Sequence, residues 1–147
     1  MFVLAEKSTK ELHEEGAWFH ITDPSTGLPA YADKEETKPC RIKLQGMESA
    51  AGRKLGVKGR NKLMKEAARK GRKEITESDI VDGEIEDAEF LASLALDWEN
   101  IYNSKGKAIE FSKEEIKNAF IRQSWLRKQC LDFVADEKSF FTSKDED

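Results

Sequence analysis

Two cysteines, two histidines and three prolines are all that 147 residues contain of those types. Each scarcity closes off a class of protein. Cys40 and Cys130 have no near Cys or His neighbour, so there is no zinc-binding spacing and no dense disulfide framework. Both read as reduced, buried, small apolar residues of a cytosolic protein, while their spacing leaves a bridge between them open. His13 and His20 would need further converging ligands to hold a metal, and none is visible in the sequence. No apolar run approaches the roughly 18 residues of a membrane helix. The first fifteen residues lack the basic start, apolar centre and small-residue cleavage site of a secretory signal. The glycines Gly52, Gly56 and Gly59 are followed by Arg60-Asn61 where a phosphate-binding loop needs Lys-Ser/Thr. No nucleophile, base and orienting group can be assigned from sequence. No catalytic, cofactor-binding or metal-binding residue is expected, and the chain reads as a binding protein rather than an enzyme.

Charge is what the chain has in excess. Asp, Glu, Lys and Arg make up 37% of it, against 38% hydrophobic residues, with a net charge of -4. That balance predicts a folded protein with a thin core. The charge is segregated. Between residues 49 and 73 stand ten basic residues and one acid, Glu66. The basic residues Arg53, Lys54, Lys58, Arg60, Lys62, Lys65, Arg69, Lys70, Arg72 and Lys73 form a candidate basic surface. Residues 74–100 then carry ten acids and neither Lys nor Arg. A nucleic-acid surface is a minor alternative for the basic block. No aromatic residue is interleaved to stack bases, and the acidic stretch can neutralise it.

An α+β fold is expected: a small N-terminal antiparallel sheet followed by a mainly helical region of three to four helices. Residues 1–15 are weakly patterned, and 7–15 read as polar and exposed. Strands are expected at 17–22, at 28–31 after the turn Asp23-Pro24-Ser25-Thr26-Gly27, and at 39–45. In the last, Cys40, Ile42 and Leu44 alternate with Arg41, Lys43 and Gln45. The glycines predict a broken helix before 61 and a better one over 61–70. Val81, Ile85, Ala88, Ala92, Ala95, Trp98 and Tyr102 recur at steps of three and four, predicting a helix over 76–101. A turn at 103–107 and a short extended piece lead to Ser112-Lys113-Glu114-Glu115. This is a capping box, with Phe111 and Ile116 as a hydrophobic staple, opening a helix over 113–122. Another helix starts at Ser124, with Leu126, Cys130, Phe133, Val134 and Phe141 on one side. The spans divide as 1–46 (sheet), 47–75 (basic connector) and 76–147 (helices with an acidic tail).

Nine of the thirteen aromatic residues lie between Phe90 and Phe141. Most are expected in the core. Because Phe140 and Phe141 are adjacent, both cannot face one helical stripe, so one is expected at the surface. Trp125, Phe133, Phe140 and Phe141 are the candidate partner-binding residues.

Three stretches carry a resemblance. The first is Gly16-Ala17-Trp18-Phe19-His20-Ile21-Thr22-Asp23-Pro24-Ser25-Thr26-Gly27-Leu28-Pro29. The second is Arg41-Ile42-Lys43-Leu44-Gln45-Gly46-Met47-Glu48-Ser49, with Glu48 where Asp is commoner. The third runs through Trp98, Gly106-Lys107, Phe111-Ser112-Lys113-Glu114, Trp125-Leu126-Arg127-Lys128-Gln129, Phe133 and Phe140. Their order resembles the tail assembly chaperones of long-tailed, siphovirus-like bacteriophages. The basic block is richer in Lys and Arg than that family would suggest. The resemblance implies a non-catalytic, cofactor-free protein of the host cell cytoplasm, absent from the mature virion. It would coat the tape measure protein during tail assembly and help recruit the tail tube protein. Self-association stays open, and no membrane is involved. A structural accessory protein of the tail or capsid is the alternative, as is a small nucleic-acid-binding regulator acting through residues 53–73.

Overall fold

Ser8 opens the first element. Its hydroxyl accepts the Glu11 N–H at 3.1 Å and the Glu11 carboxylate accepts the Ser8 N–H in return, a capping box that starts helix α1, Thr9–Glu15. Gly16 ends α1 at φ +82, a conformation that L side chains rarely adopt. The expected exposed, unpatterned stretch at 7–15 is therefore a capped helix, and its His13 is buried. The structure, a computed structural model, describes residues 4, 6–54 and 77–141. The helix expected over 61–70 and the acidic tail lie outside the described residues.

Three antiparallel strands follow in the order β1-β2-β3: β1 is Ala17–His20, β2 is Arg41–Leu44 and β3 is Ala95–Glu99. Phe19 faces Ile42, and Ile42 faces Trp98. The alternation along β2 holds, with Ile42 and Leu44 fully buried. The turn at 23–27 also forms. Asp23 accepts the N–H and the hydroxyl of Ser25, and Gly27 takes φ +74. The return at 28–31 is not a strand. It makes the isolated bridges Thr22 to Pro29 and Tyr31 to Pro39, with Ala30 donating to the Ile21 carbonyl and accepting from the Cys40 N–H, and both prolines sit at positions whose N–H the partner segment does not need.

Helix α2, Glu77–Leu94, ends sooner than the periodicity predicts, and Ala95–Glu99 leaves it as a strand. The reason is a bulge. Lys43 pairs with Asp97 and Leu44 with Ala95, so Leu96 is an extra residue. The bulge places the buried residues of β3, Ala95 and Trp98, three apart instead of two. A strand with that spacing cannot be told from a helix by period alone. Two groups divert the helix end. The Leu94 carbonyl accepts the Gln45 N–H at 2.8 Å. The Lys113 ammonium donates to the carbonyls of Ala92, Ser93 and Ala95, and the burial this requires pushes its pKa below the usual lysine range.

The Ser112 half of the expected capping box forms, its hydroxyl accepting the Glu115 N–H at 3.0 Å. Helix α3 is Lys113–Arg122 and helix α4 is Ser124–Ala135, followed by a 3-10 turn, Glu137–Phe140. Buried Arg127 caps α3 as Lys113 caps α2. It donates to the Phe120 carbonyl at 2.8 Å and to the Glu84 carboxylate at 2.8 Å. Ile42, Leu44, Leu91, Leu94, Ile116, Phe120, Cys130 and Val134 belong to one continuous core between sheet and helices. The fold is α+β, and its sheet draws β3 from the helical span to complete the two strands of 1–46. Both cysteines are free. Cys130 is buried, and burial holds its thiol far above the usual range and inert. Cys40 is only half-buried, where full burial was expected.

Gln129 on α4 ties helix to sheet. Its side-chain amide accepts the Thr22 N–H at 3.1 Å and donates to the Thr22 carbonyl at 2.9 Å, standing in for a neighbouring strand. Gln129→Leu is expected to cost about 1–3 kcal/mol, since both backbone groups lose their partner. Urea unfolding measures it, and amide exchange at Thr22 locates it.

Candidate functional site

The four aromatic residues proposed for partner binding do not form one surface. Phe133 and Phe140 belong to a ladder of rings across the molecule. Phe19 of β1 stands 5.1 Å from Phe133, Phe133 stands 5.6 Å from Phe140, and Phe140 stands 4.6 Å from His13 of α1. These are packing distances for aromatic pairs. Phe140 is buried, so it holds α1, α4 and the 3-10 turn together and presents no ring to a partner. Phe141 is the one that faces out, at 45% exposure. It does not share the inner side of α4, because the helix ends at Ala135 and the 3-10 turn rotates the chain. Trp125 is half-buried, and its indole N–H donates to Gln123.

A second apolar surface was not foreseen. Lys113 lies beside the end of α2, Lys117 pairs with Glu89, and Arg127 joins the end of α3 to Glu84. The two helices therefore run antiparallel. Helix α2 has 18 residues and α3 has 10, so at about 1.5 Å per residue α2 overhangs by roughly 12 Å. The apolar stripe continues onto the overhang, and no helix among the described residues lies over it. Ile80 is 56% and Val81 48% exposed, and Ile121 at the end of α3 is also exposed. Around them stand the exposed acids Glu77, Asp82 and Glu84. The signal was present in the unequal spans of the two helical patterns, but only their antiparallel packing turns it into a surface.

Of the basic residues, Arg53 and Lys54 lie in a helical turn at 50–54 and are exposed, with Arg53 paired to Glu48 at 3.3 Å. Lys58, Arg60, Lys62, Lys65, Arg69, Lys70, Arg72 and Lys73 lie outside the described residues. His20 donates from Nε2 to the Ala30 carbonyl, 2.7 Å away, and packs edge-on against Tyr31, a structural role. No helix among the described residues is long and apolar enough to cross a membrane. Neither a protein-family model, nor a curated protein, nor a solved structure matches the chain.

Proposed function

We propose that this protein is a non-catalytic tail assembly chaperone that binds the tape measure protein of a long-tailed bacteriophage while the tail is built. Support comes from the order of the three motif stretches, and above all from the apolar overhang of α2 with Ile121. An amphipathic client helix needs a groove or ledge of apolar side chains reached at helical spacing. Ile80 and Val81 beside the end of α3 offer such a ledge. The acids around it keep an exposed apolar surface soluble in the absence of client. Phe141 lies on the 3-10 turn after α4 and is a separate contact candidate.

Co-expression with a tagged tape measure fragment tests this. The wild-type chain is expected to co-purify. Ile80→Asp combined with Ile121→Asp is expected to reduce retention at least about tenfold, since each places a charge in a desolvated contact. Circular dichroism of the variant should be unchanged, because both side chains are solvent-exposed. A folded wild-type chain that retains no fragment would sink the proposal. Loss of retention with Phe141→Ala alone would move the contact to the C-terminal turn.

A further inference from the structure

Three residues far apart in sequence meet at the end of the aromatic ladder. His13 comes from α1, Glu48 from the turn after β2, and Glu137 opens the 3-10 turn. One ring nitrogen of His13 and one carboxylate oxygen from each glutamate lie within 4.8 Å of one another. His13 is only 4% exposed. Its Nδ1 accepts the Glu48 N–H at 3.0 Å. Its Nε2 is, among the described residues, the buried side-chain polar atom with no hydrogen-bond partner. Buried polar atoms are nearly always partnered, so an orphan nitrogen on a ring that stands beside two carboxylates points to something that fills the space between them.

We propose that His13, Glu48 and Glu137 form a binding site for a divalent cation of the zinc class. An imidazole nitrogen and two carboxylates suit a borderline ion that accepts four ligands, the fourth being water. Two carboxylates also balance the charge of the ion. Calcium and magnesium need about six oxygen ligands, which this cluster does not supply. Zinc bonds of about 2.0–2.1 Å put tetrahedral ligand atoms roughly 3.3 Å apart, so the three side chains must close in. Glu137 is exposed and Glu48 half-buried, which leaves both free to do so.

The ring must change tautomer. With the Glu48 amide on Nδ1, the ring proton sits on Nε2. Coordination through Nε2 moves that proton to Nδ1, so the ring stays neutral, and the Glu48 amide has to turn away. The same residue supplies a carboxylate ligand, so drawing its side chain onto the ion and releasing its amide are one movement of the turn. The exposed Arg53 ion pair to Glu48 gives way at the same time. The site would link α1, the turn after β2 and the C-terminal turn, independently of any client on the α2 overhang.

Titration with Zn2+ alone, followed by calorimetry and by 15N resonances of the His13 ring, tests this. One saturable site is expected, with the ring passing from the Nε2–H to the Nδ1–H form and the Glu48 amide resonance shifting. Glu137→Gln, at an exposed position, is expected to weaken binding at least about tenfold without changing the urea midpoint. His13→Gln should abolish it. No saturable binding up to about 1 mM would overturn the site. So would equal affinity in Glu137→Gln, or a ring that keeps its proton on Nε2, which would leave a bound water as the partner of that nitrogen.

Discussion

Phe120→Ala is expected to lower the unfolding free energy by about 3–5 kcal/mol. Phe120 is fully buried, and it stands on the shortest of the three long helices, between α2 and α4. Its removal leaves a cavity in the middle of the core, where sheet and helices cannot collapse onto it without losing the Arg127 cap on its own carbonyl. Domains of this size have about 5–15 kcal/mol in all, so the variant should sit near the edge of folding. Its melting temperature should fall by about 10 °C or more. Phe141→Ala is the control. Its ring is half in water, and its loss should change stability by no more than about 0.5 kcal/mol. Urea denaturation followed by circular dichroism separates the two. A neutral Phe120→Ala would mean that the core is not where the helices cross.

Gly46→Ala is the second large effect, and it comes from one added methyl group. An ideal Cβ at Gly46 would stand 2.2 Å from Nδ1 and 2.3 Å from Cγ of His13. The ring cannot retreat, because Phe140 packs on it and the Glu48 amide holds its nitrogen. Overpacking of a buried site costs about 1–3 kcal/mol, and a clash with a trapped ring belongs at or above the upper end. The cause is checked by a double-mutant cycle. With His13→Ala already present, the ring atoms are gone and only the Cβ of residue 13, 2.8 Å away, still crowds the added methyl group, so the two substitutions together should cost less than their sum by about 1–2 kcal/mol. Strict additivity would show that the ring does not lie on Gly46. The test also bears on the ion site, since a displaced ring should lose any affinity for Zn2+.

Local rules were legible where one residue type suffices to dictate one geometry. The Ser112 cap, the 23–27 turn with Gly27, the alternation of Ile42 and Leu44 and the split between Phe140 and Phe141 all follow from spacing. The capping box at Ser8 and Glu11 was equally present, and was missed because the helix it opens has only seven residues and no apolar stripe. The strand at Ala95–Glu99 was misread for a different reason. Its bulge spaces Ala95 and Trp98 like a helix, and the groups that end α2 there, Gln45 and Lys113, lie far away in sequence.

The candidate sites divide in the same way. Adjacency alone argues that one of Phe140 and Phe141 faces out, but not which, and the helical pattern sets Phe141 on the inner side. The overhang of Ile80 and Val81 needed the antiparallel packing of α2 on α3. The convergence of His13, Glu48 and Glu137 needed α1, the turn after β2 and the C-terminal turn to meet, which no spacing within the chain encodes. What the sequence determined by itself was the α+β class, the caps and turns, and a charge pattern too polar for more than one thin core. These depend on backbone preferences and on neighbours a few residues apart. Tertiary structure alone decided where α2 stops, which apolar side chains stay uncovered, and which distant polar groups are brought together. Those outcomes depend on contacts whose partners lie tens of residues apart.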